Sequence, residues 1–571
     1  MKSIRRYRWF GLLAILVLLL LAGGAQASPA GARSPVRLGD SAAQWLAQAA
    51  PNATATFIVG LHDDGTQAQA DQARAITAKL DRRERVYRLL RDRAARNDSA
   101  LRAFLSAQGL GNEVSAIQAF ATFNGFSLTA TSRAIEALRR WDRVSSVELE
   151  QQIQLEQPQL GQPLAQINAV EWNIAKIGAD RVQTELGING TGVVVGGLDT
   201  GVRYTHQALS ANYKCAGGSH TNCWNDAVNN LTTPYDDHDH GSHTMGTAVG
   251  SGGIGVAPGA TWIACKAFTS GGSGSQTDIL ECFDWFLAPG GSSANAPDVV
   301  NNSWGNTNGA TTVYQQAVTN WVNAGIYPAF SNGNSGPSCG TVGAPASYTN
   351  AVGTGATDIN DVIASFSSRG PSPFGVIKPD LSAPGVSVRS AGGSSDSEFV
   401  TFSGTSMAGP HTSGLVALLL DANASLTISQ LTANMKANAL GIAVTACSSS
   451  GIPNNVYGWG RIRAFESVQA AMGGTPTPPA APTNLSASAV SNSQINLAWT
   501  DNANNEDGFK IERCSGNSCS NFAEIATVGA NVTSYSDSGL QPRTRYSYRV
   551  RAFNANSNSA YSNTASARTL R

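Results

Sequence analysis

Three short segments carry side chains that together could cleave an amide bond. Asp199 follows the apolar run 192–198, His240 opens a predicted helix, and Ser406 precedes the apolar helical run 415–420. A serine hydroxyl is a weak nucleophile until an imidazole takes its proton, and the imidazole needs a carboxylate that fixes its tautomer. The chain order Asp, His, Ser is one of the few known for this triad and differs from that of the nucleophile-elbow hydrolases. The three segments together indicate nucleophilic catalysis by serine.

Each segment by itself has a simpler interpretation. An Asp after a strand is commonly a turn or N-cap residue, and Ser406 could be a helix N-cap. The Asp-Asp-His-Asp-His cluster 236–240 could hold a metal, but it lacks the His pair at helical spacing around a Glu that HExxH sites use. The loop 271–274 lacks the Lys-Ser/Thr of a phosphate-binding loop, so nucleotide binding has no support.

The elements that must position these side chains alternate beyond residue 190. Short apolar runs that end in Asp, Asn or Gly are followed by helical stretches, which indicates βαβ units and a parallel sheet. Reacting groups of such sheets lie at the carboxyl ends of the strands. The run 192–198 is therefore predicted to be a buried strand that carries Asp199 to that edge.

The regions before and after this alternating part of the chain have different sequence patterns. Upstream, the residues predict a strand at 57–59, helices at 67–105 and 132–140, and a strand at 144–149. The many arginines of 67–105 are interpreted as a solvated helix face. Downstream, the Pro-rich residues 473–482 predict a linker. From about residue 483, apolar and polar residues alternate with period 2, which predicts a small β-sandwich.

The N-terminus indicates export. Basic residues, the twelve-residue apolar run 11–22 and Ala25-Gln26-Ala27 follow one another as in a secretory signal cleaved after Ala27. An apolar run of about 20 residues would be needed for a membrane anchor. The eight cysteines suit an exported chain, and their spacing suggests local bridges Cys215–Cys223 and Cys514–Cys519. For the other four cysteines, Cys265–Cys282 and Cys339–Cys447 is one guess among several, because eight cysteines permit 105 connectivities.

Charge excludes one class of function. Lys plus Arg and Asp plus Glu each number 39, so the chain has no basic surplus with which to bind nucleic acid. The balance is uneven along the chain, with 20 basic against 13 acidic residues in 1–155 and 19 against 26 in 156–571. We expect this opposition to help the two parts associate, and high salt to weaken that association.

Seven ordered motifs between about 170 and 470 resemble those of the subtilisin-like serine proteases, the subtilases. They are Asp199–Gly201, His240–His243, Asn302–Gly305, Ser331–Pro337, Phe366–Pro371, Lys378–Gly385 and Gly404–His411. The resemblance implies an α/β fold with a parallel-sheet, three-layer catalytic domain. It also implies a serine endopeptidase that hydrolyses peptide bonds through an acyl-enzyme.

The resemblance assigns the catalytic roles. Ser406 is the nucleophile, His240 the base and Asp199 the residue that orients it, while His243 and His411 fall outside the triad. The family's oxyanion hole implies the side-chain amide of Asn334 together with the backbone N–H of Ser406.

The resemblance also implies where a substrate binds, by strand addition along two extended segments. These substrate-binding residues are Gly271, Gly272, Ser273 and Gly274, then Ser303, Trp304 and Gly305, with Gly343 at the base of the S1 pocket. No acidic residue is recognisable in that pocket, so we expect broad specificity with an apolar or aromatic residue at P1, the residue that supplies the scissile carbonyl. No cofactor is required for the chemistry. Only Ser251-Gly252-Gly253 stands where bacterial subtilisins carry a calcium loop, so structural calcium would need other ligands, which the sequence does not name.

The flanking regions resemble two further modules. Residues 50–155, with Phe123-Asn124-Gly125-Phe126, are similar to the family's inhibitor-like propeptide, which the enzyme would remove itself at a bond between about 150 and 170. The tail, with Trp499 and the candidate tyrosine-corner residue Tyr546, is similar to a fibronectin type III module, a fold that names no ligand. The predicted boundaries are a signal peptide at 1–27, the propeptide at 28–160, the peptidase domain at 161–472, a linker at 473–482 and the fibronectin module at 483–571.

The expected product is a secreted bacterial zymogen. It would be a monomer that acts on proteins and peptides, with its own propeptide as an intramolecular inhibitor, no nucleic-acid partner and no membrane span in the mature form. Two rival functions are a catalytically silent binding protein of the same fold and a surface adhesin that works through the C-terminal module. The silent binding protein is disfavoured because every triad and oxyanion position is filled. The adhesin stays open at this point, and replacement of Ser406 by alanine distinguishes it from a protease.

Overall fold

A computed structural model describes residues 36–50, 52–156, 158–162, 170–473, 478–503, 506–554 and 557–571. The predicted signal peptide and residues 474–477 of the predicted linker lie outside the described residues. Across the described ranges, no helix combines the length and the apolar character that a membrane crossing requires.

The N-terminal region folds as one mixed sheet with helices against it. Its strands pair in the order β1-β5-β2-β4-β3, and only β1 and β5 run parallel. The predicted strands and helices are present, and apolar residues of β2 and β4 such as Phe57, Val59, Phe126 and Leu128 are fully buried. The elements are β1 (Arg37–Leu38), α1 (Asp40–Gln48), β2 (Thr54–Leu61), α2 (Thr66–Gln72), α3 (Lys79–Ala107), β3 (Val114–Phe120), β4 (Gly125–Thr131), α4 (Ser132–Leu138) and β5 (Val144–Leu149).

Two buried arginines of the long helix α3 are exceptions to the interpretation of a solvated face, which the exposed Arg88, Arg91 and Arg96 confirm. Arg83 and Arg93 are only 2% and 1% exposed. The Arg83 guanidinium donates to the carbonyls of Ala296 (2.8 Å) and Pro297 (2.5 Å) and to Asp298 (3.0 Å), all in the following domain. Helical spacing shows which residues share a face, but another domain covers this one.

The central domain is built on a seven-stranded parallel sheet. Two short strands precede it, β6 (Gln152–Gln154) and β7 (Gln159–Leu160). The elements that follow are α5 (Trp172–Lys176), α6 (Ala179–Leu186), β8 (Val194–Asp199), β9 (Trp224–Asp226), α7 (His240–Val249), β10 (Thr261–Lys266), β11 (Ser273–Ser275), α8 (Gln276–Leu287), β12 (Val299–Asn302), α9 (Gln315–Ala324), β13 (Tyr327–Ser331), β14 (Val352–Thr357), β15 (Leu381–Pro384), β16 (Val388–Ala391), β17 (Phe399–Ser403), α10 (Thr405–Ala422), α11 (Ile428–Asn438) and α12 (Ala464–Ala471). The sheet order is β15-β14-β13-β12-β8-β10-β9, and all its pairings are parallel.

Helices cover both faces of this sheet, which confirms the predicted three-layer α/β fold. Helices α7 and α10 contact each other and the sheet, and α8 and α9 do the same as a separate pair. Gly196 in the central strand β8 permits the close approach, because a Cβ there would lie 2.7 Å from the Phe286 ring of α8. Helix α10 is buried from Thr405 to Leu419, and its second half, 414–420, is apolar on all sides as expected of a buried helix.

The C-terminal region is an antiparallel β-sandwich, as predicted. Its sheets are β18-β19-β22 and β21-β20-β23-β24, with β25 added to β23. The Tyr546 hydroxyl accepts a hydrogen bond from the Gln541 backbone N–H (3.1 Å), the contact expected of a tyrosine corner. The strands are β18 (Thr483–Ala489), β19 (Gln494–Thr500), β20 (Gly508–Ser515), β21 (Ala523–Gly529), β22 (Ser534–Ser538), β23 (Arg545–Asn554), β24 (Ser557–Asn558) and β25 (Ala565–Arg568).

Four disulfides join the eight cysteines, and all four match the predicted pairs. They are Cys215–Cys223, Cys265–Cys282, Cys339–Cys447 and Cys514–Cys519. The last lies within the β-sandwich and the others within the central domain, so each bridge stabilises one domain rather than linking two.

Candidate active site

Three regular elements bring the predicted triad to one edge of the sheet. Asp199 is the last residue of β8, His240 is the first of α7, and Ser406 is the second of α10. Their exposed fractions are 3%, 0% and 6%, so the groups lie at the bottom of a cleft. The N-terminus of α10 directs the positive end of its dipole at the serine, where an anion would develop.

A short hydrogen bond joins the carboxylate to the imidazole. His240 Nδ1 lies 2.7 Å from Asp199 Oδ1, and that oxygen also accepts the Thr200 backbone N–H at 2.8 Å. The Thr244 hydroxyl donates to the other oxygen, Oδ2, at 3.3 Å. The carboxylate is therefore held from both sides, and it fixes the ring with Nδ1 as the protonated nitrogen.

Two opposing effects set the pKa of His240. Burial by itself lowers the pKa of the imidazole, because the charged form loses water. The Asp199 charge and hydrogen bond, with a further contribution from Asp236, outweigh burial and hold this pKa above its ordinary value of 6.5. The carboxylate thus makes His240 a stronger base than burial alone would allow.

The serine hydroxyl is not hydrogen-bonded to His240 in this structure. Ser406 Oγ instead donates to the Ser303 carbonyl oxygen at 3.1 Å, and Ser303 Oγ donates to the Ser406 carbonyl oxygen at 2.8 Å. His240 Nε2 is buried and has no hydrogen-bond partner among the described residues. His240 Nε2 can therefore accept the serine proton, but the Ser406 hydroxyl is hydrogen-bonded to the Ser303 carbonyl instead.

Asn334 lies beside the serine with a fixed orientation. Its Oδ1 accepts from both the backbone N–H and the hydroxyl of Thr405, each at 2.8 Å. The amide nitrogen Nδ2 and the Ser406 backbone nitrogen lie near the same point, because each is 3.7 Å from the Cβ position of Gly404. Two N–H donors are therefore close to each other beside the serine, which an oxyanion hole requires.

The predicted substrate segment 271–274 is already paired with an extended peptide from the same chain. Strand β11 pairs antiparallel with β6, with Gly274 opposite Ile153 and Ser273 opposite Gln154. The Leu155 N–H donates to the Gly272 carbonyl at 2.8 Å, and the Gln154 side chain donates to the Gly271 carbonyl at 2.9 Å. These contacts are those of strand addition.

A cavity next to Ser406 contains the remaining predicted substrate residues. Ser303, Trp304, Gly305, Asn334, Gly343 and Ser406 all line it. A Cβ on Gly343 would lie 2.8 Å from the Asn306 carbonyl oxygen, so glycine is needed where the cavity wall is formed. Thr307, Ser331, Ser335 and Thr341 give the wall hydroxyl groups, and the side chain of Glu156 enters it.

His243 and His411, which the resemblance places outside the triad, have structural contacts. His243 Nε2 lies 3.0 Å from the Val388 carbonyl, and burial lowers its pKa to about 3. His411 contacts Asn173 and the Met407 carbonyl, and burial lowers its pKa to about 4. Within the described ranges, no three His, Cys, Asp or Glu side chains are grouped so that they could hold a metal ion.

Sequence reasoning did not identify several residues that support the site. Thr405 anchors Asn334, Thr244 binds Asp199, and Asp236 accepts hydrogen bonds from the Thr200 hydroxyl (2.9 Å) and the Ser242 N–H (2.8 Å). All lie within the quoted motifs or next to them, so their position was the only available signal. Glu156, in contrast, lies in the Gln-rich stretch and in none of those motifs.

Comparison with known proteins gives three family matches. The Subtilase family matches residues 190–460, Peptidase inhibitor I9 matches 56–156, and the Fibronectin type III domain matches 480–568. Together they cover most of the chain in three successive parts.

Individual relatives match over different shares of their length. Bacillopeptidase F of Bacillus subtilis (strain 168) is 37% identical over 437 residues, which are 72% of this chain and 30% of that protein. Subtilisin DY of Bacillus licheniformis is 34% identical over 291 residues, 50% of this chain and 97% of that protein. Serine protease AprX of Bacillus subtilis (strain 168) is 34% identical over 315 residues, 49% and 67% respectively. The chain thus spans less than a third of the first relative and nearly all of the second.

Proposed function

The chain belongs to the subtilase family, and from this premise we propose that it is a secreted serine endopeptidase made as a self-processing zymogen. The family matches confirm the resemblance inferred from the seven motifs, the inhibitor-like propeptide and the fibronectin type III module. The observation that carries the proposal is the 2.7 Å contact between Asp199 and His240 beside Ser406, in a cleft that holds an extended peptide. Casein hydrolysis and propeptide release by the full chain test it, with Ser406→Ala as the inactive control.

The proposed reaction uses the triad in two half-reactions. The Ser406 hydroxyl leaves the Ser303 carbonyl, hydrogen-bonds to His240 Nε2 and attacks the scissile carbonyl carbon as Nε2 takes the proton. Asp199 stabilises the resulting imidazolium, and His240 then gives its proton to the leaving amine. Water repeats these steps on the acyl-enzyme, so the substrate acid is released and Ser406 is regenerated.

We expect replacement of Asn334 by leucine to lower kcat about 10²–10³-fold with little change in KM. The Nδ2 donor would bind the oxyanion only once negative charge develops, and removal of one such donor from subtilisin, a relative of this chain, costs about that factor. Steady-state kinetics on a peptide substrate would measure it. Thr405→Val is the graded comparison, because it removes one of two anchors of Asn334 and keeps the donor, so its loss should be smaller. An unchanged kcat in Asn334→Leu would exclude this role.

The propeptide is proposed to inhibit the enzyme through two sets of contacts. Its last strand fills the cleft, and its body binds helices α8 and α9. The Asp284 carboxylate of α8 accepts the backbone N–H groups of Ala121 (2.6 Å) and Thr122 (2.7 Å), and the Asn320 side chain of α9 donates to the Thr122 carbonyl (2.8 Å). These contacts support an intramolecular inhibitor that remains bound after cleavage.

Replacement of Arg83 by alanine should weaken this complex about 30-fold, which corresponds to about 2 kcal/mol. The Arg83 guanidinium is buried, so its loss removes the hydrogen bonds to the Ala296 and Pro297 carbonyls, whereas Asp298 keeps its ion pair with Lys79. The measurement is the lag between self-cleavage and the appearance of casein-hydrolysing activity, which should shorten. Arg85→Ala on the exposed side of the same helix is the matched control. Equal lags in the two variants would contradict this role for Arg83.

Further properties of the enzyme are proposals of the same kind. Export rests on the signal-peptide pattern of residues 1–27. A preference for apolar or aromatic P1 residues rests on the cavity at Gly343, whose described wall includes no acidic residue apart from the entering Glu156. A panel of P1-varied peptides with best cleavage after Arg would refute this preference. The monomeric state and any calcium ligands remain predictions.

A further inference from the structure

Two extended stretches of the N-terminal region lie on either side of Ser406. Upstream, β6 pairs with β11, and the Leu155 N–H continues the pairing to the Gly272 carbonyl at 2.8 Å. Downstream, β7 pairs with β17, with Gln159 opposite Ser403 and Leu160 opposite Phe402. The Gly161 N–H extends this second pairing to the Thr401 carbonyl at 3.0 Å. Strand β17 ends three residues before Ser406, so the described residues on both sides of Gln157 are anchored near the nucleophile.

Glu156 lies between these two stretches and enters the S1 cavity. Among the described residues before 170 it alone lines the cavity that Ser406, Asn334 and Gly343 form. The Ser335 hydroxyl donates to Glu156 Oε1 at 3.2 Å. The carboxylate is recognised through a neutral hydroxyl, because no Lys, Arg or His lines this cavity in the described parts of the chain.

The side chains before Glu156 alternate between buried and exposed, as those of a bound extended substrate would. Leu155 and Ile153 are each 3% exposed and belong to the core cluster of the peptidase domain, whereas Gln154 is exposed. A strand points successive side chains to opposite faces, so the second and fourth residues before the scissile bond are the buried ones. The sequence Ile-Gln-Leu-Glu thus fills the non-primed side of the cleft.

We propose that the chain cuts itself on the carboxyl side of Glu156, at the Glu156–Gln157 bond, and that its S1 cavity accepts glutamate. The inference rests on the proposed endopeptidase function and specifies a substrate class for it: extended peptides with glutamate at P1 and apolar residues at P2 and P4. In this structure one hydroxyl binds Glu156 Oε1, and Oε2 is buried without a hydrogen-bond partner among the described residues. The cavity wall has no fixed charge that would exclude neutral side chains. Glutamate is therefore accepted in addition to the apolar P1 residues predicted above.

The cleavage step balances without any further reagent. Ser406 Oγ bonds to the Glu156 carbonyl carbon, and His240 takes the hydroxyl proton. The carbon–nitrogen bond to Gln157 breaks, and His240 gives that proton to the new amino group. Water then hydrolyses the ester, which leaves a carboxylate at Glu156, frees Ser406 and releases one proton.

The test is to determine both ends that processing of the full-length chain creates. Intact mass and peptide mapping should give a propeptide that ends at Glu156 and an enzyme that begins at Gln157. Mass is the suitable readout because an N-terminal glutamine can cyclise. Complementary ends at any other bond would overturn this inference and leave the endopeptidase function standing. Absence of any processing or casein hydrolysis would overturn both.

A second measurement uses the processed enzyme and synthetic peptides of residues 152–161, so no variant has to fold. Arginine in place of Glu156 should lower kcat/KM at this bond about tenfold or more, because its charge finds no partner in the cavity. The matched control is arginine in place of Gln154, whose side chain is exposed, and cleavage should stay after Glu156. Equal kcat/KM for the Glu156→Arg and unmodified peptides would overturn the glutamate site, as would cleavage of the unmodified peptide elsewhere.

Discussion

Replacement of Ser406 by alanine is expected to leave the chain as an uncleaved precursor without proteolytic activity. Ser406 supplies the only atom proposed to bond to the substrate, and neither His240 nor Asn334 can replace it. The loss known for the triad of subtilisin, a relative of this chain, is about 10⁶-fold in kcat. After a loss of this size, the remaining rate would come only from positioning of the substrate and stabilisation of the oxyanion.

Two readouts measure this effect. Gel mobility and mass follow self-processing, and casein hydrolysis follows activity on other substrates. Ser467→Ala is a matched control, because Ser467 is buried in helix α12 and its hydroxyl has no hydrogen-bond partner among the described residues. That variant should process itself at the normal rate. Processing and hydrolysis that persist in Ser406→Ala would disprove the assignment of the nucleophile.

Replacement of Asp199 by asparagine is expected to lower kcat about 10⁴-fold. An amide in place of the carboxylate can donate to His240 Nδ1, which would place the ring proton on Nε2. Nε2 could then no longer accept the serine proton. The fold should survive, because asparagine has the same shape and its oxygen can still accept the Thr200 N–H.

The pH dependence of Asp199→Asn gives an independent readout. Neutral His240 is the base, so kcat/KM falls as the pH decreases through its pKa. In the native chain Asp199 and its neighbours hold that pKa above 6.5 against burial, so the acid limb should lie above pH 6.5. Without the carboxylate burial dominates, and the acid limb should move to lower pH.

Asp396→Asn is the control for this experiment. It makes the same chemical change at a half-exposed carboxylate that pairs with Arg203 and does not contact the triad. Its pH profile should match that of the native chain. An acid limb that stays in place in Asp199→Asn would mean that Asp199 does not set the pKa of His240.

The contacts of the triad show which part of a site local sequence can specify. Asp199, His240 and Ser406 were identified because each lies at an end of a regular element, within a short motif. The hydrogen bond that Ser406 makes to Ser303, 103 residues away, has no counterpart in any local pattern. The anchoring of Asn334 by Thr405 likewise depends on two loops that meet only in the fold.

The long helix α3 shows the same limit for surfaces. Its apolar period predicted a helix, and the structure has one from Lys79 to Ala107. The solvated interpretation is confirmed for arginines such as Arg88 and Arg91. It was wrong for Arg83, because residues 296–298 cover this side chain. Burial of a helix face depends on what packs against it, and that partner lies more than 200 residues away.

The sequence by itself determined the fold class, the three residues of the proposed triad and the three-part organisation of the chain. It could do so because the spacing of apolar residues in strands and helices, the composition of linkers and the catalytic motifs are local properties. Only the tertiary structure placed Glu156 in the cavity beside Ser406, since that position follows from strand pairings with β11 and β17, which lie far apart in the sequence. Local patterns fix which groups can react, and long-range pairing fixes which bond is presented to them.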